Sequence, residues 1–183
     1  FFFFFFFQPP LYDSYRHFSF ILPPIFLIFC YCIEFLFEKI TKKFWQAVLV
    51  IVLLFPALAG IIRLHPYEYA YYNLFTGGMK NAAENYEVDY WLTCYKELTQ
   101  QVMEAEDSPK KIYVAFTPEI VQPYVGENDI VLKVDDIRYP KNSIIFLPRR
   151  WEYLKLYPTY PVTYEVNVNG ITFCSAKTVT PSE

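Results

Sequence analysis

The chain has 183 residues, a formal net charge of −3 at pH 7 and an aromatic content of 21%. This length suits one domain of ordinary size together with membrane segments. Charged residues are few up to Leu64 and frequent from His65 onward, where acidic residues outnumber basic ones. A nucleic-acid-binding surface needs clustered lysines and arginines, so the acidic domain argues against nucleic acid as a partner.

A run of phenylalanines at positions 1–7 opens the chain ahead of Gln8. The run is too short to span a bilayer, which takes about 20 apolar residues. We interpret it as the end of an earlier transmembrane helix, with a low-complexity tract as the alternative. Because the first residue is Phe1 and not Met, we expect the chain to be a fragment that lacks an N-terminal transmembrane part.

Two apolar segments, at about 18–37 and 44–64, predict a membrane α-helical hairpin formed by the last transmembrane helices. The second segment has no charged residue from 44 to 62. At about 1.5 Å per residue, such a stretch crosses a hydrocarbon core of roughly 30 Å. The loop 38–43 carries three lysines, and the positive-inside tendency places it in the cytoplasm. Residues 1–64 are therefore the predicted transmembrane region, and the domain after them is predicted to be extracytoplasmic.

The segment 65–90 is rich in tyrosine, with Tyr67, Tyr69, Tyr71 and Tyr72 close together. Aromatic rings with a polar tip favour the headgroup region of a bilayer. We predict an interfacial aromatic segment that lies along the membrane surface.

Residues 91–183 predict a small α/β domain with a mixed sheet. Tyr95 and Leu98 belong to an apolar pattern at helical spacing, which predicts an amphipathic helix over 91–106. Asn169-Gly170 between two alternating runs predicts a terminal β-hairpin. The predicted strands are 112–116, 130–134, 143–147, 161–168 and 171–179, and the predicted short helices are 118–124 and 148–156.

The four cysteines show no metal-binding spacing. Cys94 and Cys174 lie in the polar domain, where they pair as a disulfide if that domain is outside the cytoplasm. Two separate reduced thiols are an equally supported interpretation. Cys30 and Cys32 lie in an apolar run, where a thiol behaves as a small hydrophobe. The sequence predicts neither a metal site nor a cofactor within this chain.

Catalytic motifs are also missing from the sequence. There is no glycine-rich phosphate-binding loop, and the two histidines are His17 and His65. Neither histidine belongs to a Ser/His/Asp arrangement with a known signature. We therefore predict no catalytic residue in this chain.

Three short segments resemble a known family. YDSYRHF at 12–18, followed by FILPP at 20–24, resembles the YDG-RHF-F-LPP segment of bacterial multi-pass glycosyltransferases. HPYEYAYYN at 65–73 and YEVDYW at 86–91 resemble the region after the last membrane helix of the same proteins. These are the family 39-like enzymes with a GT-C fold, which are related to protein O-mannosyltransferases and aminoarabinose transferases. The chain departs from the pattern at Ser14, where glycine is usual, and at Leu92, where glycine often follows tryptophan.

The resemblance implies a function for the protein as a whole. Such enzymes transfer a sugar from a polyprenyl-phosphate carrier to an acceptor on the extracytoplasmic side of the bacterial cytoplasmic membrane. An acidic residue in their first outer loop acts as the base, often with a divalent metal. That loop lies near the N-terminus of the family, so this fragment alone is not expected to be active. The implied partners are membrane lipid, the polyprenyl-phosphate-linked sugar and the missing N-terminal transmembrane part.

Arg16 and His17 are the candidate lipid-phosphate or substrate-proximal residues. A lipid phosphate needs cationic donors at headgroup depth, and arginine offers two parallel hydrogen bonds. The alternative for Arg16 is an ion pair with Asp13 that anchors the helix. A structural role, packing the external domain onto the membrane part, is predicted for His65, Glu68 and Asn73.

A second function remains open. Under this alternative hypothesis, the chain is a non-catalytic, membrane-anchored structural subunit of a larger complex. A stable stoichiometric complex without sugar transfer is the observation that distinguishes this hypothesis from the enzyme.

Overall fold

The computed structural model describes residues 19–105, 110–135 and 139–180. The chain divides into two compact units, Phe1–Phe55 and Pro56–Glu183. In the described part, the first unit holds one long helix and most of a second, and the second unit holds a domain built on a sheet. The predicted order, apolar helices before an α/β domain, is confirmed.

Helix α1 comprises Leu22–Lys39 and helix α2 comprises Lys43–Leu64. Pro23 and Pro24 lie in the first turn of α1, where the missing backbone N–H of proline breaks no hydrogen bond. Among the described residues, these two helices are long and apolar enough to cross a membrane. Helices were predicted at 18–37 and 44–64, so both predictions are confirmed to within a few residues.

The side chain of Gln46 closes the turn between the two helices. Its Nε2 donates hydrogen bonds to the carbonyl oxygens of Phe37, at 3.1 Å, and Ile40, at 2.8 Å. Carbonyl groups at the end of a helix have no partner within the helix itself. The amide of Gln46 therefore satisfies the end of α1 and fixes the start of α2 beside it.

A mixed sheet forms the centre of the second unit. Within the described residues, its five strands are β1 (Lys111–Val114), β2 (Ile130–Lys133), β3 (Ile144–Pro148), β4 (Val162–Val168) and β5 (Ile171–Thr178). Their order is β2-β1-β3-β5-β4. β1 runs parallel to β2 and β3, whereas β5 runs antiparallel to β3 and β4. The predicted mixed sheet is confirmed.

The β4–β5 hairpin turns at Asn169 and Gly170, which have φ angles of 50° and 78°. Positive φ at both central residues is the requirement of a type I′ turn, and Asn-Gly meets it at little cost. Val168 pairs with Ile171 directly across the turn. The predicted hairpin is confirmed.

Helix α3 comprises Gly78–Asn85 and helix α4 comprises Cys94–Ala105. Apolar side chains of α4 and of the sheet share one buried cluster, which includes Tyr95, Leu98, Val102, Phe146 and Phe173. The hydroxyl of Tyr95 donates to the carbonyl oxygen of Ala115 at 2.9 Å, so its polar end is satisfied in the core. Desolvation in this core raises the pKa of Tyr95.

Cys94 and Cys174 form a disulfide that joins the start of α4 to β5. Their Cα atoms are 6.1 Å apart, and both residues are buried. This separation suits a disulfide, whose Cα atoms usually lie roughly 4.4–6.8 Å apart. Of the two interpretations left open by the sequence, the structure therefore has the paired one.

The helix predicted over 91–106 begins later, at Cys94. Leu92 has a φ of 58°, which is left-handed and incompatible with a right-handed helix through that position. The carboxylate of Asp89 instead accepts hydrogen bonds from the backbone N–H groups of Thr93, at 3.0 Å, and Cys94, at 3.2 Å. These bonds satisfy donors that have no partner at a helix start.

Two short predicted helices also differ in the structure. The region 118–124 forms two 3-10 turns, Pro118–Ile120 and Gln122–Tyr124, because Pro123 cannot donate a backbone hydrogen bond. The region 148–156 is a kinked 3-10 segment, Arg150–Lys155, since two of its residues have left-handed backbone angles.

Part of the segment 65–90 belongs to the domain core. Tyr67 is 5% exposed, and its ring packs edge-on against Phe173 with centroids 5.5 Å apart. Ala70 is also buried. These residues therefore anchor the segment to the sheet, and a headgroup position for the remainder stays a prediction.

Candidate functional site

The sequence-predicted site residues Arg16 and His17 lie outside the described residues. Their contact with a lipid phosphate, and the alternative pair of Arg16 with Asp13, stay predictions. In the described ranges 19–105, 110–135 and 139–180, no group of three or more His, Cys, Asp or Glu side chains is placed to hold a metal ion.

Two of the motif segments meet at a buried carboxylate. The hydroxyl of Tyr69 donates a hydrogen bond to Asp89, which is 2% exposed. Thr93 contributes both its backbone N–H and its hydroxyl to the same carboxylate. A buried charge needs such partners, because without them its desolvation is costly. Burial and the nearby charge of Asp89 both raise the pKa of Tyr69.

Two further tyrosines strengthen this junction. The hydroxyl of Tyr67 donates a hydrogen bond to Oε2 of Glu97 at 2.6 Å. Burial is the main cause that raises the pKa of Tyr67, and the neighbouring Glu97 carboxylate raises it further. The hydroxyl of Tyr72 donates to the carbonyl oxygen of Glu87 at 3.0 Å. We call the contacts of segment 65–73 with segment 86–97 the tyrosine junction. It attaches the chain that leaves α2 to helix α4 and to the loop before it.

His65 and Glu68 contact each other at the start of this region. Nδ1 of His65 lies 2.5 Å from Oε1 of Glu68. The backbone N–H of Glu68 and the ring of His65 lower the pKa of the Glu68 carboxyl. The pair is local and surface-exposed, and the structural role of both residues stays a prediction.

An arginine surrounded by aromatic rings lies elsewhere in the same domain. The guanidinium carbon of Arg150 is 3.9 Å from the ring centroid of Tyr90, 4.4 Å from that of Trp151 and 5.1 Å from that of Phe116. Nη1 of Arg150 also donates to the carbonyl oxygen of Tyr90 at 3.2 Å. We call these four residues the Arg150 cluster. Cation–π attraction holds its side chains together.

Strained backbone conformations occur in the Arg150 cluster and at the residue that follows Trp151. Trp151, Glu152 and Phe116 have φ angles of 51°, 60° and 81°, in the left-handed region that ordinary residues avoid. Each such residue costs about 1–3 kcal/mol, and such strain is commonly found at binding and catalytic sites. The cluster is therefore a candidate functional element.

A cleft of about 470 Å³ adjoins the cluster on the side of Trp151. The loop after α3 provides Tyr86 and Glu87 to its lining, and the segment after β3 provides Arg149, Trp151 and Glu152. The backbone N–H of Trp151 donates to Oε1 of Glu87 at 3.4 Å, which connects the two sides. The cleft offers carboxylates, cationic donors and aromatic rings, a set that binds polar ligands.

Sequence reasoning missed this cleft. The Arg149-Arg150-Trp151 run was interpreted as part of a helix, which hid the unusual backbone of Trp151. The available signal was two arginines and a tryptophan directly after a buried strand, since exposed aromatic and charged loop residues often serve binding.

Comparison with known proteins leaves the family open. No family model, no curated protein and no solved structure matches this chain. The tyrosine junction and the cleft beside the Arg150 cluster therefore stand on their own geometry.

Proposed function

We propose that this chain is the C-terminal portion of a bacterial integral-membrane glycosyltransferase of the family 39-like type, with a GT-C fold. The enzyme moves a sugar from a polyprenyl-phosphate carrier to an acceptor on the extracytoplasmic side. Helices α1 and α2 cross the membrane, and the domain after α2 lies outside the cytoplasm.

The tyrosine junction is the observation that carries this proposal. The segments 65–73 and 86–91, which resemble the family, are separate in sequence but are joined by the Tyr69–Asp89 hydrogen bond. The bond from Tyr72 to Glu87 joins them a second time. The two resembling segments thus belong to one structural unit, which supports the proposal.

The disulfide supports the proposed orientation. Disulfides such as Cys94–Cys174 persist in oxidising compartments outside the cytoplasm and are rare inside it. The lysine-rich loop 38–43 favours the same orientation through the positive-inside tendency.

The chemistry is divided between this chain and a preceding part of the enzyme. The acidic base, and the divalent metal where one is used, belong to an earlier outer loop in proteins of this type. Arg16 and His17 contribute cationic and polar donors toward the carrier phosphate at headgroup depth. The extracytoplasmic domain shapes the acceptor side and holds α2 through the tyrosine junction.

A transfer assay in membranes tests the proposal. Membranes from cells with the gene deleted are supplied with radiolabelled polyprenyl-phosphate sugar and compared with membranes that carry the gene in its native reading frame. We expect deletion to abolish transfer to at least one acceptor and the native gene to restore it. Arg16→Ala should lower transfer by about tenfold or more, and the exposed-residue control Lys80→Ala should not.

One outcome contradicts the enzyme and favours the structural subunit. In that outcome, deletion of the gene leaves sugar transfer to every acceptor unchanged, and the protein is recovered in a stable stoichiometric complex.

A further inference from the structure

We propose that the cleft between Tyr86 and Trp151 binds a saccharide. The inference goes beyond the proposed function, because binding a saccharide in this cleft requires no sugar transfer. It assigns a ligand class to a site that contains none of the residues named for catalysis or carrier binding.

Two exposed aromatic rings supply the apolar part of the cleft. Tyr86 is 60% exposed and Trp151 is 58% exposed, although large aromatic side chains usually bury most of their surface. The C–H groups of a pyranose ring carry partial positive charge, and they pack against the electron-rich face of an aromatic ring. The cleft therefore offers stacking surfaces that suit the apolar face of a sugar.

The ring of Trp151 is held in place before any ligand arrives. Phe116 lies against it with ring centroids 4.4 Å apart, and the Arg150 guanidinium lies at the same distance from its centroid. The left-handed backbone at Trp151 and Glu152 sets the direction of the side chain. A fixed ring loses little conformational freedom on binding, which is the main benefit of preorganisation.

Charged groups around the rings match the hydroxyl groups of a sugar. The lining has the carboxylates Glu84, Glu87 and Glu152 and the cations Arg149 and Lys155. Carboxylates accept hydrogen bonds from hydroxyl groups, and guanidinium and ammonium groups donate to them. A saccharide can satisfy both kinds of group because each hydroxyl both donates and accepts.

Other ligand classes fit this lining less well. An anion such as phosphate meets three carboxylates against two cations, so the net charge of the lining opposes its binding. Nη2 of Arg149 donates to the carbonyl oxygen of Ala83 at 3.0 Å, and Nζ of Lys155 lies 2.6 Å from Oε1 of Glu152. An apolar ligand would desolvate these charges without compensating them. A neutral, hydroxyl-rich ligand with an apolar face satisfies both constraints.

The test measures binding to the full chain in zwitterionic micelles whose detergent has no sugar headgroup. The probes are maltotriose, triacetylchitotriose and mannotriose, and inorganic phosphate is the comparison. Saturation-transfer NMR detects the contact, and titration gives the affinity. We expect at least one trisaccharide to bind with a Kd in roughly the millimolar range or tighter and phosphate not to compete with it.

Variants locate the site. Trp151→Ala should raise the Kd for the trisaccharide by about tenfold. Glu87→Gln should also raise the Kd, although it leaves both aromatic rings of the cleft in place. Trp91→Ala is the matched control, because Trp91 is 61% exposed and lies outside the cleft lining. The affinity of Trp91→Ala should equal that of the unmodified chain.

Three results would overturn the proposal. They are no binding of any of the three trisaccharides, competition by inorganic phosphate, and equal losses for Trp91→Ala and Trp151→Ala. If Trp151→Ala fails to fold, Glu87→Gln and Trp151→Phe decide the matter, and unchanged affinity in both contradicts the assignment. Because no sugar donor is present, these results are independent of whether the enzyme transfers sugar.

Discussion

The hydroxyl of Tyr69 donates a hydrogen bond to the buried carboxylate of Asp89, and this bond joins two residues that are 20 positions apart. The carboxylate also receives the N–H groups that open helix α4. Tyr69 thus connects the segment that follows α2 with the first turn of the principal helix of the domain.

Tyr69→Phe should destabilise the domain by about 1–3 kcal/mol, because a buried carboxylate then loses one of its donors. The measurement is urea unfolding of the full chain in micelles, followed by near-UV circular dichroism. Tyr86→Phe provides the control, since Tyr86 is 60% exposed and its change should stay within about 0.5 kcal/mol. Equal effects of the two substitutions would argue against the tyrosine junction.

Alkaline pH should destabilise the domain through Tyr67 and Tyr95, which are 5% and 0% exposed. Burial raises the pKa of both, so above about pH 10 the unfolded chain loses these protons before the folded chain does. The unfolded state then binds fewer protons, and stability falls as pH rises, while below pH 10 this contribution is fully present. The slope should approach about 1.4 kcal/mol per pH unit for each tyrosine.

Unfolding free energies measured from pH 8 to pH 12 give this slope. Tyr67→Phe should lower the alkaline slope by up to about 1.4 kcal/mol per pH unit, the share of this one side chain, and it should leave the dependence below pH 9 unchanged. A slope that is the same with and without Tyr67 would show that this side chain is ionised equally in both states.

Reduction of the disulfide between Cys94 and Cys174 should destabilise the domain by about 2–5 kcal/mol. Unfolding is compared with and without reductant, and the variant with alanine at both positions should no longer respond to reductant. Thiol labelling of the denatured, unreduced chain should modify Cys30 and Cys32, the described cysteines outside the bond. Labelling of all four residues would contradict the pairing.

Gly60 in helix α2 should resist replacement because of Tyr71. A Cβ atom at position 60 would lie 2.2 Å from Cε2 of that ring. Replacing glycine by alanine in a helix with free space around it raises the free energy of unfolding by about 1 kcal/mol. At position 60 the clash with the ring should instead lower the free energy of unfolding by about 1–3 kcal/mol. Thermal unfolding of Gly60→Ala, with and without Tyr71→Ala, separates the two effects. The substitution should become stabilising once the ring is removed, and a loss that persists would assign the cost to another cause.

The elements that the sequence predicted well are those with strong local causes. The two apolar helices follow from long hydrophobic runs, and the β4–β5 hairpin follows from Asn169 and Gly170, which adopt positive φ easily. The apolar pattern of α4, at helical spacing, located its buried face correctly at Tyr95 and Leu98. In these cases neighbouring residues alone determine the structure.

The candidate site could not be predicted in the same way, because it depends on distant contacts. Trp151 adopts a left-handed backbone that its residue type disfavours, and the surrounding cluster maintains it. Arg150 meets Tyr90 across 60 positions of sequence. The start of α4 was likewise predicted too early, since Leu92 fits the apolar pattern of the helix but has a left-handed backbone that keeps it outside.

The position of β5 has a consequence for synthesis of the protein. β5 follows every other described strand in the chain, yet it lies between β3 and β4 in the sheet and carries Cys174. While the ribosome is still making β5, Cys94 has no partner and β3 has an uncovered edge. A nascent or prematurely terminated chain therefore has an unpaired Cys94 thiol and an open sheet edge, and an open edge can pair with a strand of another chain.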